Sequence, residues 1–244
     1  MMKFFTLKIL NIFDYFYQKK FINFLKKKGI NNFNVLIDIG AHKGESINLF
    51  ANNFKINQIY SFEPSPISYK ILSQNIDKIQ NKFNKTKIFL ENFALGSKDE
   101  KIFMKHISES SSSTIRELNT DSKYFKKKFF FLKNIKNQSL FKKIEVKQIL
   151  LSDYIEKKNI KSIDFIKIDT EGYELEVLKG SENILFKTKY ILFEHHYDDM
   201  IVKNYFFSDI HKFLKENNFK QLYKSKMPFR KTFEYIYQNE LIKF

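Results

Sequence analysis

The rhythm of apolar and polar positions changes near residue 33. Before it, Phe4, Phe5, Ile9, Ile12, Phe13, Phe16, Phe21 and Leu25 recur near the helical period, which predicts one or two amphipathic helices over residues 1–32. After it, short wholly apolar runs alternate with helical stretches, the pattern of a parallel sheet buried on both faces. Strands are predicted at Asn34–Ile39, Gln58–Phe62, Lys87–Glu91, Lys101–His106, Glu145–Leu150, Ser162–Ile168 and Lys189–Glu194. Helices are predicted over Gly44–Phe54, Ile67–Ile79, from Glu174 on to Leu185, and over Ser208–Asn217. Phe219–Tyr223 and Thr232–Tyr237, joined through Met227-Pro228, form an antiparallel edge hairpin. Residues 33–244 thus form one α/β domain, interrupted by a less regular insert at about 108–142 that begins with a serine run.

Composition narrows the chemistry. A chain of 244 residues supplies one sizeable core, and no apolar run is long enough to span a bilayer. The absence of cysteine excludes disulfides, thiolate metal sites and a cysteine nucleophile, and five histidines leave little material for a zinc cluster. No metal site is assigned, although carboxylates at the sheet edge leave a divalent ion as an option.

The net charge of +16 suggests nucleic acid or an anionic surface as partner. Of the 43 Lys and Arg residues, however, only Arg116 and Arg230 are arginine, the residue best suited to bidentate phosphate and base contacts. The basicity is therefore read as solvated lysine, and nucleic acid is not the expected partner. Lys8, Asn11 and Asp14 interrupt the amino-terminal segment as no secretory signal would allow, so a cytoplasmic location is expected. Lys19, Lys20 and Lys26 to Lys28 flank its apolar face, which would suit peripheral contact with an anionic membrane; packing against its own domain is the ordinary alternative.

Two motifs carry the site. In Val35-Leu-Ile-Asp38-Ile-Gly40-Ala41-His42-Lys43-Gly44-Glu45 an apolar strand runs into a glycine turn and then a helix, the place where open α/β sheets bind ligands. Neither a Walker loop nor the dinucleotide fingerprint is present. Asp38 at the strand end would repel a pyrophosphate and favours a cationic ligand, a requirement that S-adenosylmethionine meets. The second motif, Phe62-Glu63-Pro64, places a carboxylate 23 residues after Gly40, near the separation at which an acid accepts hydrogen bonds from both ribose hydroxyls. Pro64 then ends the strand.

With these motifs in order on consecutive strands, the chain resembles the FkbM-type S-adenosylmethionine-dependent methyltransferases. The resemblance covers about Val35 to His196, including Asn92-Phe-Ala94-Leu-Gly96, Leu151-Ser-Asp153-Tyr154 and, most distinctively, Phe165-Ile-Lys167-Ile-Asp169-Thr-Glu171-Gly172-Tyr-Glu174. It implies a class I, Rossmann-like methyltransferase fold with a seven-stranded sheet whose last strand is reversed, and methyl transfer to oxygen, commonly a sugar hydroxyl.

The residues then take expected roles. Asp38, Gly40, Ala41, His42, Gly44, Glu45, Glu63 and Pro64 form the cofactor loops, and Asn92 and Ala94 stand where adenine would lie. Asp169 and Glu171 hold the cofactor's amino-acid portion or orient the acceptor. Lys167 is either an ion-paired strand lysine or part of the site. His195 and His196 follow an apolar strand, and histidine suits a general base; His195 is narrowly preferred, with Asp169 as a further catalytic group. Ser112, Ser113, Glu171 and Glu194 are the expected substrate contacts, while His106 and His211 are read as structural. The expected activity is O-methylation of a sugar or sugar-like precursor of a bacterial surface glycan, with a carbohydrate or nucleotide-sugar acceptor. An RNA methyltransferase and a non-catalytic glycan-assembly scaffold are the rival readings.

Overall fold

The computed structural model describes residues 18–106, 113–132, 141–228 and 230–242. Its central sheet has seven strands. β1 (Asn32–Ile39), β2 (Lys55–Phe62) and β3 (Lys87–Glu91) run parallel on one side of the switch point, and β8 (Ile163–Ile168) and β9 (Thr188–His196) run parallel on the other. β12 (Thr232–Asn239) joins β9 antiparallel, and β11 (Phe219–Lys226) closes the edge, giving the order β11-β12-β9-β8-β1-β2-β3.

The unbroken apolar run of β1 has a simple cause: from Val35 to Ile39 every residue is buried, so both faces of the strand must be greasy. On one face, α1 (residues 18–27) and α2 (Glu45–Asn53) cover Leu36, Phe165 and Leu192 with Phe21, Ile22, Leu25, Ile47 and Phe50. This face also packs α3 (Pro66–Lys82) through Leu72. On the other, Ile37, Ile166 and Phe193 meet α5 (Leu151–Lys157), α6 (Glu174–Lys179) and α7 (Phe207–Glu216). The described part of the amino-terminal segment therefore packs on its own domain, whereas the apolar positions from Phe4 to Phe16 lie outside the described residues. Among the described residues no helix is long and apolar enough to cross a membrane.

Three features depart from the sequence reading. The strands expected near Lys101 and Glu145 do not enter the main sheet; β5 (Glu100–His106) and β7 (Lys142–Ile149) pair antiparallel, with the short β4 (Ala94–Leu95) beside β7, as a separate three-stranded sheet. The insert carries its own elements, β6 (Glu117–Leu118), which pairs with β10 (Ile201–Val202), and α4 (Lys123–Leu132). The helix expected to run from Glu174 to Leu185 stops at Lys179 and resumes as a 3-10 turn over Glu182–Lys187.

That interruption has a steric reason. A Cβ on Gly180 would lie 1.9 Å from the carbonyl oxygen of Gly96, so the small sheet docks on the end of α6 by direct backbone approach. Gly180 has an ordinary helical conformation, φ −70, so only space forbids a side chain there. Gly180→Ala is expected to lower stability by about 2 kcal/mol, as overpacking does, measured as a reduced urea midpoint; an unchanged midpoint would contradict the close docking.

Candidate active site

The two glycine turns at the carboxyl ends of β1 and β8 meet around one ammonium. Lys167 Nζ donates to the carbonyl oxygen of Gly40 at 2.9 Å and stands 3.2 Å from Asp38 and 3.6 Å from Asp169. Burial disfavours the cation, but Asp38 and Asp169 outweigh it and hold Lys167 above the ordinary lysine range. The ion-paired reading of Lys167 is thus the one that the geometry supports. Gly40 has φ +79, and a Cβ there would strike the Asp169 carbonyl oxygen at 1.9 Å, so β1 and β8 end in touching backbones.

Glu63, at the end of β2, faces this turn. Its two carboxylate oxygens accept from the backbone N–H of His42 at 2.9 Å and of Ser65 at 2.9 Å. Burial outweighs these bonds and pushes the carboxyl up to about 7. Each oxygen keeps a lone pair for a further donor. Asn92 Nδ2 donates to the carbonyls of Glu63 at 2.7 Å and Pro64 at 3.2 Å, which fixes the loop.

Several expected cofactor ligands take different places. Asp38 is fully buried, and its carboxylate serves Lys167 and the Ser46 hydroxyl, 2.6 Å away, rather than the cleft. Ala94 is buried with Met104 and Val146 in the small sheet, because β4 turns it away from the strand ends. Ala41 is buried, and its N–H donates to Phe62 O. His42 and Gly44 adopt positive φ and shape the turn, while Glu45 accepts from Lys43 N and sits 3.2 Å from the His42 ring.

Strand alternation separates the two histidines. His195 enters an aromatic cage of Tyr197, Tyr205 and Phe207 on the α7 side of the sheet. Burial, with Lys203 and His196 adding repulsion, drives its pKa down to about 3, so it stays neutral. His196 lies on the opposite face. Its Nε2 is 3.2 Å from Glu171, and its Nδ1 is 3.1 Å from the Thr232 hydroxyl and 3.6 Å from Asp198. Although burial opposes charging, Glu171, Asp198 and Glu174 raise its pKa above the ordinary value. His195, enclosed by aromatic rings, and His196, at ion-pair distance from Glu171 and Asp198, thus occupy different surroundings on opposite faces of β9.

Carboxylates remain at the rim. Asp169 is the most open of them, its side chain about one-third exposed, against 15% for Glu171. Burial, with Asp169, Glu234 and Glu171 nearby, pushes Glu194 well above the usual carboxylate range. Glu174, which the sequence reading passed over, closes the signature turn: it accepts from Thr170 Oγ1, Gly172 N and the Tyr205 hydroxyl. Its place at the first position of a helix, where an acid suits the amino end, was the available signal. Ser113 approaches the His106 ring at 3.3 Å, on the Glu63 side of the site, and Ser112 lies outside the described residues.

The donor set fits S-adenosylmethionine: a carboxylate at the end of β2 for a diol, a glycine turn with no room for a side chain, and acidic rather than basic groups around it. Among the described residues no group of three or more His, Asp or Glu side chains is arranged to hold a metal ion.

A family model described as the methyltransferase FkbM domain matches residues 38–220. Among solved structures, the chain is similar to methyltransferase FkbM from Methylobacillus flagellatus KT, with TM-score 0.53 and 16% identity over 84% of this chain and 43% of that one. It is also similar to magnesium protoporphyrin IX methyltransferase from Synechocystis PCC 6803 with bound SAM, with TM-score 0.52 and 10% identity over 96% of this chain and 83% of that one. The chain thus spans less than half the length of the first of these. No curated protein matches it.

The histidine assignments have a direct check. In a proton NMR titration His196 should titrate above 6.5 and His195 near 3. Glu171→Gln should bring the His196 pKa down; an unmoved value would break the pairing. The signs for stability follow: His196, raised when folded, stabilises below its unfolded pKa and loses this as pH rises through its folded pKa. His195, depressed, stabilises above 6.5 and loses this as pH falls toward 3.

Proposed function

The chain belongs to the FkbM methyltransferase family, and we propose that it is an S-adenosylmethionine-dependent O-methyltransferase acting on a sugar or sugar-like precursor of a bacterial surface glycan. The observation that carries this reading is the pairing of Glu63 with the Gly40 turn at the carboxyl ends of β1 and β2, beside a carboxylate rim from β8 and β9.

Glu63 would read the ribose diol through its free lone pairs, beside the Gly40 turn whose carbonyl accepts from Lys167. When bound, the cofactor supplies an electrophilic methyl group on a sulfonium, whose positive charge suits a rim of carboxylates. Asp169, the most open carboxylate of the rim and 3.6 Å from Lys167 Nζ, is the group we assign to orient the acceptor hydroxyl and take its proton. Glu194, beside Asp169 and Glu171 on the same rim, is the further group we assign to the acceptor.

An RNA acceptor is disfavoured by the same rim, because the Asp169 and Glu171 carboxylates would repel phosphates despite the basic remainder of the surface. A retained fold without turnover would still bind cofactor, so the two are separated by incubating labelled S-adenosylmethionine with glycan precursors: methylated carbohydrate is the expected product, and labelled RNA alone would overturn the acceptor class.

Cofactor binding is tested by calorimetry with S-adenosylhomocysteine. The wild type should bind and Glu63→Ala should not. Because the ionised form of Glu63 is the diol acceptor and its carboxyl stands at about 7, affinity should fall as pH drops, by about tenfold between pH 8 and pH 6. No binding by the wild type overturns the reading, and a flat pH profile removes Glu63 from it.

A further inference from the structure

The insert does more than cover the small sheet. Thr114 and Lys105 exchange backbone hydrogen bonds, Lys105 N to Thr114 O at 2.7 Å and Thr114 N to Lys105 O at 3.1 Å, which anchors the segment to β5. From this anchor consecutive residues reach in two directions. Ser113 Oγ lies 3.3 Å from His106 Nδ1, which lies 3.0 Å from Ser65 Oγ; the N–H of that same Ser65 donates to Glu63. Thr114 Oγ1 donates to the carbonyl oxygen of Glu171 at 2.7 Å and accepts from Arg116 N at 3.0 Å. Arg116 Nε donates to the carbonyl oxygen of Gly172 at 3.1 Å.

Arg116 is held as a half-buried cation. Its guanidinium lies over the Tyr173 ring at 4.9 Å and the Tyr205 ring at 5.8 Å, with Glu176 3.9 Å away. A lysine has neither the planar stack nor the fixed fork, which accounts for an arginine here in a chain that uses lysine almost everywhere else. The turn it grips needs a grip: Glu171 has φ +51, a strained value for a residue with a side chain, and Gly172 has φ +94.

We propose that Thr114 and Arg116 are positioning residues of the methyl-transfer site, forming with Ser113 a strap that fixes the Glu171-Gly172 turn and ties it to the Glu63 loop. The role in methyl transfer rests on the functional reading above; the strap itself rests on the hydrogen bonds alone. Because Thr114 and Arg116 hold the backbone of the turn, they set where the Glu171 carboxylate meets His196. The groups facing His196 are Glu171, Asp198, Glu174 and Thr232, together with Lys203, whose ammonium donates to the His196 carbonyl.

The test uses the full chain and the conservative pair Thr114→Val and Thr114→Ser, with two readouts. The first is the NMR titration of His196, which a merely structural role would leave alone. The second is affinity for S-adenosylhomocysteine by calorimetry. Thr114→Val should lower the His196 pKa and weaken the ligand about fivefold, the effect of one lost hydrogen bond, and Thr114→Ser should restore both. Arg116→Lys, which keeps the charge, should behave like Thr114→Val and serves as the second variant if the valine chain does not fold. A wild-type His196 titration in Thr114→Val overturns the hold on Glu171, and unchanged affinity overturns the tie to the Glu63 loop. If the wild type binds no S-adenosylhomocysteine, the cofactor reading itself fails and the titration alone decides the strap.

Discussion

The ammonium of Lys167 is the constraint on which the site depends. A cation inside a sheet is costly unless its charge and hydrogen bonds are met, and here Asp38, Asp169 and the Gly40 carbonyl meet them together. These partners come from two strands, so the cation fixes how the ends of β1 and β8 sit relative to one another. Gly40 can approach Asp169 only because it lacks a Cβ, and the ammonium occupies the space beside that approach. A carboxylate that seems at first a ligand for the cofactor, Asp38, is thereby committed to the protein. The more open Asp169 lies beside the same ammonium.

Much of the main sheet was legible in the sequence, since strands buried on both faces are continuous apolar runs and their glycine and proline boundaries are local. The separate small sheet was not legible. Whether β5 and β7 join the main sheet depends on pairing partners far apart in the chain, and their alternating residues fit either arrangement. Ala94 was misplaced for the same reason: its strand-end position was right, but its strand belongs to the other sheet. The break after Lys179 was hidden because Gly180 is sterically required only by Gly96, which lies on a distant segment.

The histidines illustrate a subtler limit. Two consecutive residues on a strand must face opposite sides, but which faces which depends on where pairing begins. Here Phe233 pairs with His195 and Thr232 with His196, and the α7 aromatics cover the first. Arg116 gave a compositional signal, as one of only two arginines, but no local motif to say what it held. Net charge was a poor guide as well. The lysines give the molecule its overall sign, yet the strand ends gather Asp169, Glu171 and Glu194 around Lys167 and His196, so the overall sign says little about the site.

The order of the edge strands has a consequence for biosynthesis. β12 follows β11 in the chain but lies inside it, between β11 and β9. Until residues 232–239 leave the ribosome, β9 has an open backbone edge, and the side of its neighbour that carries Glu234 is missing. The sheet therefore cannot be completed in the order in which it is translated. The nascent protein exposes that edge to foreign pairing until β12 arrives, with Lys189 and Glu194 the charged side chains that β9 itself carries.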